Sequence, residues 1–329
     1  MRNPLSVLRR WADSRRVRAD GGQTTDSRSF LQRDAVRAAP FWLPPFLLVG
    51  LFVYGAIIWN VLLSLTDFSG LGTPDYSQLD FENYVVAVQG GTPSWSDLTV
   101  SPIWNSAQNT VVLMIAFAVV CLALGLLLAI LVDQKIRFEN TFRTIYLLPM
   151  SLSFVVTAKF WLYMYNPQTG LINIALGAVG IGPVEIVQNP DLKLAAVAFA
   201  LVWQFSGYAM IVYLAGLRAI PTSHFEAARV DGASTIRMYW RVIIPQLRTA
   251  TVSALVVLTV FALKAFDFLF SMYGDQPGPS ADILATRMVR EAYGNGNWAY
   301  GSAIAVILFL LALAIVAPYI YSQYQRGEL

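Results

Sequence analysis

Six apolar runs alternate with polar segments along this chain. They cover Phe41–Thr66, Ala107–Val132, Thr144–Tyr165, Leu194–Leu217, Ala250–Tyr273 and Ala299–Gln323. The hydrocarbon core of a bilayer takes about 20 helical residues to cross. The pattern therefore predicts an all-α, polytopic membrane protein with six transmembrane helices. Pro44 and Pro45 fall in the expected first turn of the first span, where a missing N–H costs little. The second run carries no charge, and the third contains Pro149 and Lys159.

The polar segments divide the chain into a tail, residues 1–40, and a membrane domain, residues 41–329. The tail holds nine arginines and four aspartates and has no apolar stretch near its start that would act as a cleaved signal. It reads as a cytoplasmic basic tail, with a short basic amphipathic helix over Leu5–Trp11. From Ala38 to Gln134 there is no Lys or Arg. The basic residues return at Lys135, Arg137 and Arg143, at Arg218, Arg229, Arg237, Arg241 and Arg248, and at Arg326. With the tail, these make 18 of the 23 basic residues, all assigned to one side. By the positive-inside rule both termini are expected to be cytoplasmic. The loops from Asp67 to Asn105 and from Gly274 to Trp298 then lie outside, rich in Gly, Pro and aromatic residues. They are expected to cap the outer face or to meet a soluble partner.

Composition agrees. The chain is 56% hydrophobic and 13% charged, and a soluble domain carries about twice that charge fraction. Its single cysteine, Cys121, lies in an apolar run, so no disulfide framework exists. The single histidine, His224, has no Cys or His partner nearby, and no metal or catalytic residues are expected. No glycine is followed by lysine, so no phosphate-binding loop of the Walker type is present.

The most informative polar stretch is AIPTSHFEAARVDGASTIRMYWRVIIP, residues 219–245, within a loop taken as 218–248. It reads as a helix, a glycine break and a second amphipathic helix. Ser223 and Glu226, three apart, fit a capping box. Ala227 and Ala228 would offer a flat face to another backbone, and Gly232 would supply the positive φ that ends the first helix.

Glu226-Ala227-Ala228, three residues, Gly232, nine residues, Val242, one residue, Ile244-Pro245 resembles the EAA signature of ABC importer permeases. Only the usual Ile and Leu are replaced, by Val242 and Ile244. The flanking LAGLRAIPTSHFEAARVDGAS resembles the carbohydrate-uptake branch of maltose and glycerol-phosphate type. The resemblance implies a type I ABC importer permease fold, with Glu226, Ala227, Ala228, Asp231 and Gly232 forming a coupling helix that docks on an ATPase. It implies two ATPase subunits that carry the ATP and Mg, a second homologous permease, an extracytoplasmic substrate-binding protein and a carbohydrate substrate. No cofactor on this chain and no nucleic acid are implied. NPQTGLIN, residues 166–173, resembles the segment where the family places a short re-entrant scoop, and ALKAFDFLF resembles its F-x-x-F-D region. The usual Gly-Gly-Pro after the fifth span is represented only by Gly278-Pro279.

Candidates for the substrate path are Trp161, Trp203, Gln204, Tyr208, Lys264, Phe266 and Asp267. Aromatic rings can stack on sugar faces while polar groups fix hydroxyls, although Trp and Tyr also populate interfacial belts. Ionisable groups at membrane depth are costly and mark function by default. Lys264 and Asp267, three apart, would pair on one helix face, either steadying the fifth span or serving the path. Lys159 either snorkels outward or lines the path. Ser206-Gly207 is expected to loosen the fourth span, and Gln204 and Asp267 to face the cavity. The alternative function is an ion- or proton-coupled secondary transporter using Lys264 and Asp267.

Overall fold

The computed structural model describes residues 34–89, 102–134 and 138–325, and every regular element among them is helical. The Leu5–Trp11 helix lies outside the described residues. The chain forms two units, Met1–Ile57 and Ile58–Leu329.

In the first unit, α1 (Asp34–Val49) passes into a π turn (Gly50–Tyr54), where the Gly55 N–H bonds Gly50 O, and then into the start of α2 (Gly55–Leu63). Pro40, Pro44 and Pro45 lie inside α1. The prolines are therefore not in a first turn, because polar residues from Asp34 onward already extend the helix. Phe41, Phe46, Leu51 and Phe52 remain exposed, as side chains that face hydrocarbon rather than a protein core do.

The second unit continues through α3 (Glu82–Gln89), α4 (Pro102–Asp133) and α5 (Glu139–Leu147). A 3-10 turn (Leu148–Ser151) leads to α6 (Phe154–Met164), α7 (Leu171–Ala178) and α8 (Pro190–Ala219). The polar stretch supplies α9 (Thr222–Val230), α10 (Thr235–Met238), a π turn (Tyr239–Ile243) and α11 (Ile244–Gln246). Then follow α12 (Arg248–Leu263), α13 (Phe266–Tyr273), α14 (Leu284–Val289), a π turn (Arg290–Gly294) and α15 (Trp298–Gln325).

Four helical stretches are long and apolar enough to cross a membrane unbroken: Ala38–Leu63, Ile103–Asp133, Pro190–Ala219 and Trp298–Tyr321. The third expected span is broken, the fifth is interrupted at Lys264–Ala265, and a further bend precedes the fifth at Leu247. Glu139–Ser151 meets Phe154–Met164 at 101°, and Thr235–Gln246 meets Arg248–Leu263 at 67°. Counting each bent pair as one span gives six. The first break has a local cause. Pro149 lacks an N–H, Leu152 is extended at ψ 144°, and the Ser153 hydroxyl caps the new helix by accepting from Val156 N at 3.3 Å.

Helices α4 and α8 form the centre, with Phe117 of α4 edge-on to Phe205 of α8. Phe154, Phe261 and Phe268 complete this aromatic core from α6, α12 and α13. Contrary to expectation, Ser206-Gly207 does not loosen α8, which is continuous. A Cβ at Gly207 would collide with the backbone carbonyl of Tyr146, so the glycine lets α5 approach α8 closely.

At the Pro190 end of α8, the loops draw together. Gly70 N bonds Gly296 O at 2.8 Å, Ala299 N bonds Phe68 O, and Trp298 Nε1 bonds Gly70 O. Lys193 Nζ donates to Pro277 O at 2.9 Å and sits over the Tyr273 ring. The NPQTG segment is closed by Asn166 Oδ1, which accepts from Gln168 N and Thr169 N, and leads into the eight-residue α7.

Candidate functional site

The stretch from Arg218 to Arg248 forms a compact knob at the Ala219 end of α8. Helix α9 starts after Pro221 without a side-chain cap, so the Ser223–Glu226 capping box is not formed. The helix begins at Thr222 with Pro221 at its cap position, two residues too early for Ser223 to be its cap. Its C-terminus follows the sequence expectation. Gly232 has φ +71°, Gly232 N bonds Arg229 O, and Ala233 N bonds Ala228 O, each at 3.0 Å. This is the Schellman closure, in which a left-handed residue lets two terminal carbonyls find donors. Ser234 then caps α10 by accepting from Arg237 N.

The knob has an inner and an outer face. Ala228, Met238, Ile243 and Leu247 are buried with Ala129 and Val132 of α4 and Met210, Leu214 and Leu217 of α8. Ala228 thus seats the knob, and Ala227 alone is exposed, which corrects the expected two-alanine face; a helix turns 100° per residue and cannot present both equally. Outward stand Glu226, Ala227, Asp231 and Gly232, flanked by Val230, Ile236 and Trp240, which are 86%, 83% and 71% exposed. Arg218 anchors the knob to the preceding turn, with Nη2 2.5 Å from Glu139 Oε1, an oxygen that Arg143 shares. Gln134 Nε2 donates to Tyr239 Oη at 2.8 Å. The arrangement is a protrusion of mixed apolar and charged character, with Arg229, Arg237 and Arg241 exposed beside Glu226 and Asp231, fixed to the ends of two long helices.

The other sequence candidates separate into two groups. Trp161, Trp203 and Gln204 come together where α6 lies on α8. Trp203 stacks on Phe160 at 5.7 Å and meets Trp161 edge-on at 5.6 Å. Gln204 is buried at 1% exposure and its Nε2 donates to Leu152 O at 2.8 Å, so it does not face open space in this conformation. Tyr208 lies one turn further along α8, half-buried. Phe266, on α13, packs against the same core, with its ring 5.4 Å from Phe270.

Lys264 and Asp267 are both exposed, and no ion pair joins them among the described residues. Helix α12 ends at Leu263 and α13 starts at Phe266, so the continuous turn that would align them is absent. Lys159 is exposed on α6.

Sequence reasoning missed the buried charge pair at the opposite end. Asp282 accepts from Arg290 Nη2, from Ser106 Oγ at 3.0 Å and from Thr286 Oγ1 at 2.7 Å. Asn109 Nδ2 donates to the Pro279 and Asp282 carbonyls. Arg290 and Thr286 are local partners, but Ser106 lies 176 residues from Asp282 and Asn109 lies 173, and the only sequence signal was charge in an aromatic-rich loop. The fold also brings Asp67, Asp80 and Glu82 within 4.8 Å, all three exposed.

Comparisons with known proteins agree with this geometry. Residues 122–327 match the family described as binding-protein-dependent transport system inner membrane component. The chain is 52% identical over 309 residues to a xylose/arabinose import permease of Haloferax volcanii, covering 94% of both chains. It is 45% identical to a probable ABC transporter permease of Pyrococcus horikoshii, covering 88% of this chain and 96% of that one. In fold it resembles the crystal structure of a bacterial ABC transporter involved in import of the acidic polysaccharide alginate. That match has a TM-score of 0.73 at 21% identity and covers 90% of this chain and 97% of the other. The chain belongs to the family of inner-membrane components of binding-protein-dependent transport systems.

Proposed function

We propose that this chain is the permease subunit of an ATP-driven ABC importer that moves a carbohydrate from an extracytoplasmic binding protein into the cytoplasm. The observation that carries the reading is the knob: Glu226 and Ala227 exposed on a helix whose opposite face, through Ala228, is buried against the ends of α4 and α8. A push on such a protrusion is transmitted as a rigid-body movement, because packed elements shift between discrete arrangements rather than deform. The pusher is a pair of separate ATPase subunits that hold ATP and Mg; the sequence has no phosphate-binding loop for them. A second, similar permease completes the pathway. Both termini are cytoplasmic, on the side where the arginines collect. The carbohydrate assignment is supported by the Haloferax volcanii relative named for xylose and arabinose. Trp161, Trp203, Gln204, Tyr208, Phe266, Lys264 and Asp267 remain the candidates for the substrate path.

Alternating access then follows from differential affinity. A loaded binding protein favours the conformation it fits best, and nucleotide closure favours the one that pulls the knobs together. The ion-coupled alternative has lost its motif, since Lys264 and Asp267 do not pair.

The test is Glu226→Gln in the complete importer. Glu226 is exposed, so membrane insertion and folding should be unchanged, while sugar uptake should fall about tenfold or more, a coupling loss of about 1.4 kcal/mol or greater. Undiminished uptake would overturn the assignment.

A further inference from the structure

A cavity of about 260 Å³ opens between the start of α12 and the end of α15, at the same end of the molecule as the knob. Liquid water takes about 30 Å³ per molecule, so the space exceeds what one or two trapped waters need. Its level in the membrane follows from the chain. Arg248 is the first residue of α12, just past the bend that carries the chain from the knob into the span. The apolar stretch of α15 stops at Tyr321, and Gln323 follows it. The two helices are tied where Ser253 Oγ and Tyr319 Oη meet at 3.0 Å. Arg248 and Gln323 therefore stand at the membrane surface, and Val252, Val256 and Ile315 line the cavity deeper in the hydrocarbon. The helix from Arg248 to Val256 is about 12 Å long, against a hydrocarbon leaflet of about 15 Å.

Pro318 helps to hold the gap open. It lies inside α15, where it has no N–H to give the carbonyl four residues back and its ring crowds that carbonyl, so α15 cannot close evenly on α12.

The mouth of the cavity carries groups that the protein itself does not answer. Arg248 is exposed and joins no ion pair among the described residues. Leu247, at the N-cap of α12, offers no side-chain acceptor, and a helix start favours an anion. Gln323 is 8% exposed; its Nε2 donates to Tyr319 Oη at 3.0 Å, while its buried Oε1 has no hydrogen-bond partner. Turning the amide over would leave the nitrogen without a partner instead. A buried polar atom in that state is costly unless something outside the chain completes it.

A cation, a helix start and an unanswered amide above an apolar slot match a phospholipid of net negative charge, the kind of molecule that basic pockets between spans hold. Its phosphate suits Arg248 and the helix start. A headgroup hydroxyl both donates and accepts, so it can serve either end of the Gln323 amide. An acyl chain suits Val252, Val256 and Ile315. A free anion would leave the apolar depth unfilled, and an apolar helix of another subunit would satisfy neither Arg248 nor Gln323.

We infer that the groove between α12 and α15 is a seat for one anionic phospholipid, its headgroup held by Arg248 and Gln323. The inference rests on the chain's place in the membrane and not on its cargo.

The probe is phosphatidylglycerol carrying a photoreactive group on one acyl chain, added to the complete importer in phosphatidylcholine nanodiscs. Illumination should label α12 or α15 of this chain. Arg248→Gln should lower labelling about tenfold, the effect of one lost contact between a charged group and phosphate. Arg248→Lys should keep most of it. Leu255→Trp, at an exposed position that lines the groove, should lower labelling as far without changing any charge. Labelling that survives Leu255→Trp means that the surface only attracts anionic lipid, and overturns the seat. So does unchanged labelling in Arg248→Gln, labelling confined to the partner subunits, or competition by inorganic phosphate alone. A second readout needs no label: unmodified phosphatidylglycerol should raise the unfolding midpoint of the unaltered importer more than that of Arg248→Gln, and equal rises overturn the seat. Neither measurement requires transport, so a failure of the carbohydrate reading would leave this result standing.

Discussion

The two ends of α8 are built on opposite terms. At the Pro190 end, charge is folded inward: Asp282 and Arg290 have side chains only 10% and 13% exposed, the carboxylate is braced by nearby Thr286 and distant Ser106, and Asn109 holds the Asp282 carbonyl. At the Ala219 end, charge is turned outward: Glu226, Arg229 and Asp231 are exposed, and an alanine and a methionine are buried beneath them. A buried pair has satisfied its valences within one chain and can only hold that chain together. An exposed set has left them for another molecule. One end is therefore a staple and the other a contact surface, and substitutions should separate the two by which quantity they damage.

The largest loss of stability is expected from Arg290→Met, which strands the Asp282 carboxylate in a buried site. Removing one partner of such a pair costs about 3–5 kcal/mol, readable as a lowered unfolding midpoint of the purified protein in lipid nanodiscs. Pairing it with Asp282→Asn should recover part of that loss. Gly207→Ala comes next, at about 1–3 kcal/mol, because the added methyl must displace the Tyr146 backbone rather than a flexible side chain. The smallest effect belongs to the knob. A Cβ at Gly232 meets nothing within 4 Å, so Gly232→Ala pays only for φ +71°, about 1 kcal/mol. Its uptake should nevertheless fall as far as that of Glu226→Gln, since the Schellman closure fixes the angle at which α9 presents Glu226. Should Gly232→Ala unfold the protein more readily than Arg290→Met, the contrast between staple and contact surface is wrong.

What could be read in advance follows the range of the interaction. The Gly232 turn was legible because its hydrogen bonds span five residues. The capping box at Ser223 was misread for a reason of similar scale: the helix starts at Thr222, and a two-residue change of origin removes a cap. The Lys264–Asp267 pair failed because the three-residue rule assumes an unbroken helix, and the chain turns at Lys264–Ala265. Gln204 was expected in open space, yet its bond to Leu152 spans 52 residues and depends on the break at Ser153.

By itself, the sequence determined that this chain lies in a membrane, where its spans fall, and which polar stretch stays outside the hydrocarbon. Those properties depend on partition between water and lipid, and partition is decided by each segment's own composition. Tertiary structure alone decided that two of the six spans are bent, that Ala228 is buried while Ala227 is not, and that Asp282 meets Ser106. Such choices are made by contacts between segments far apart in the chain, and those contacts exist only once the helices have packed.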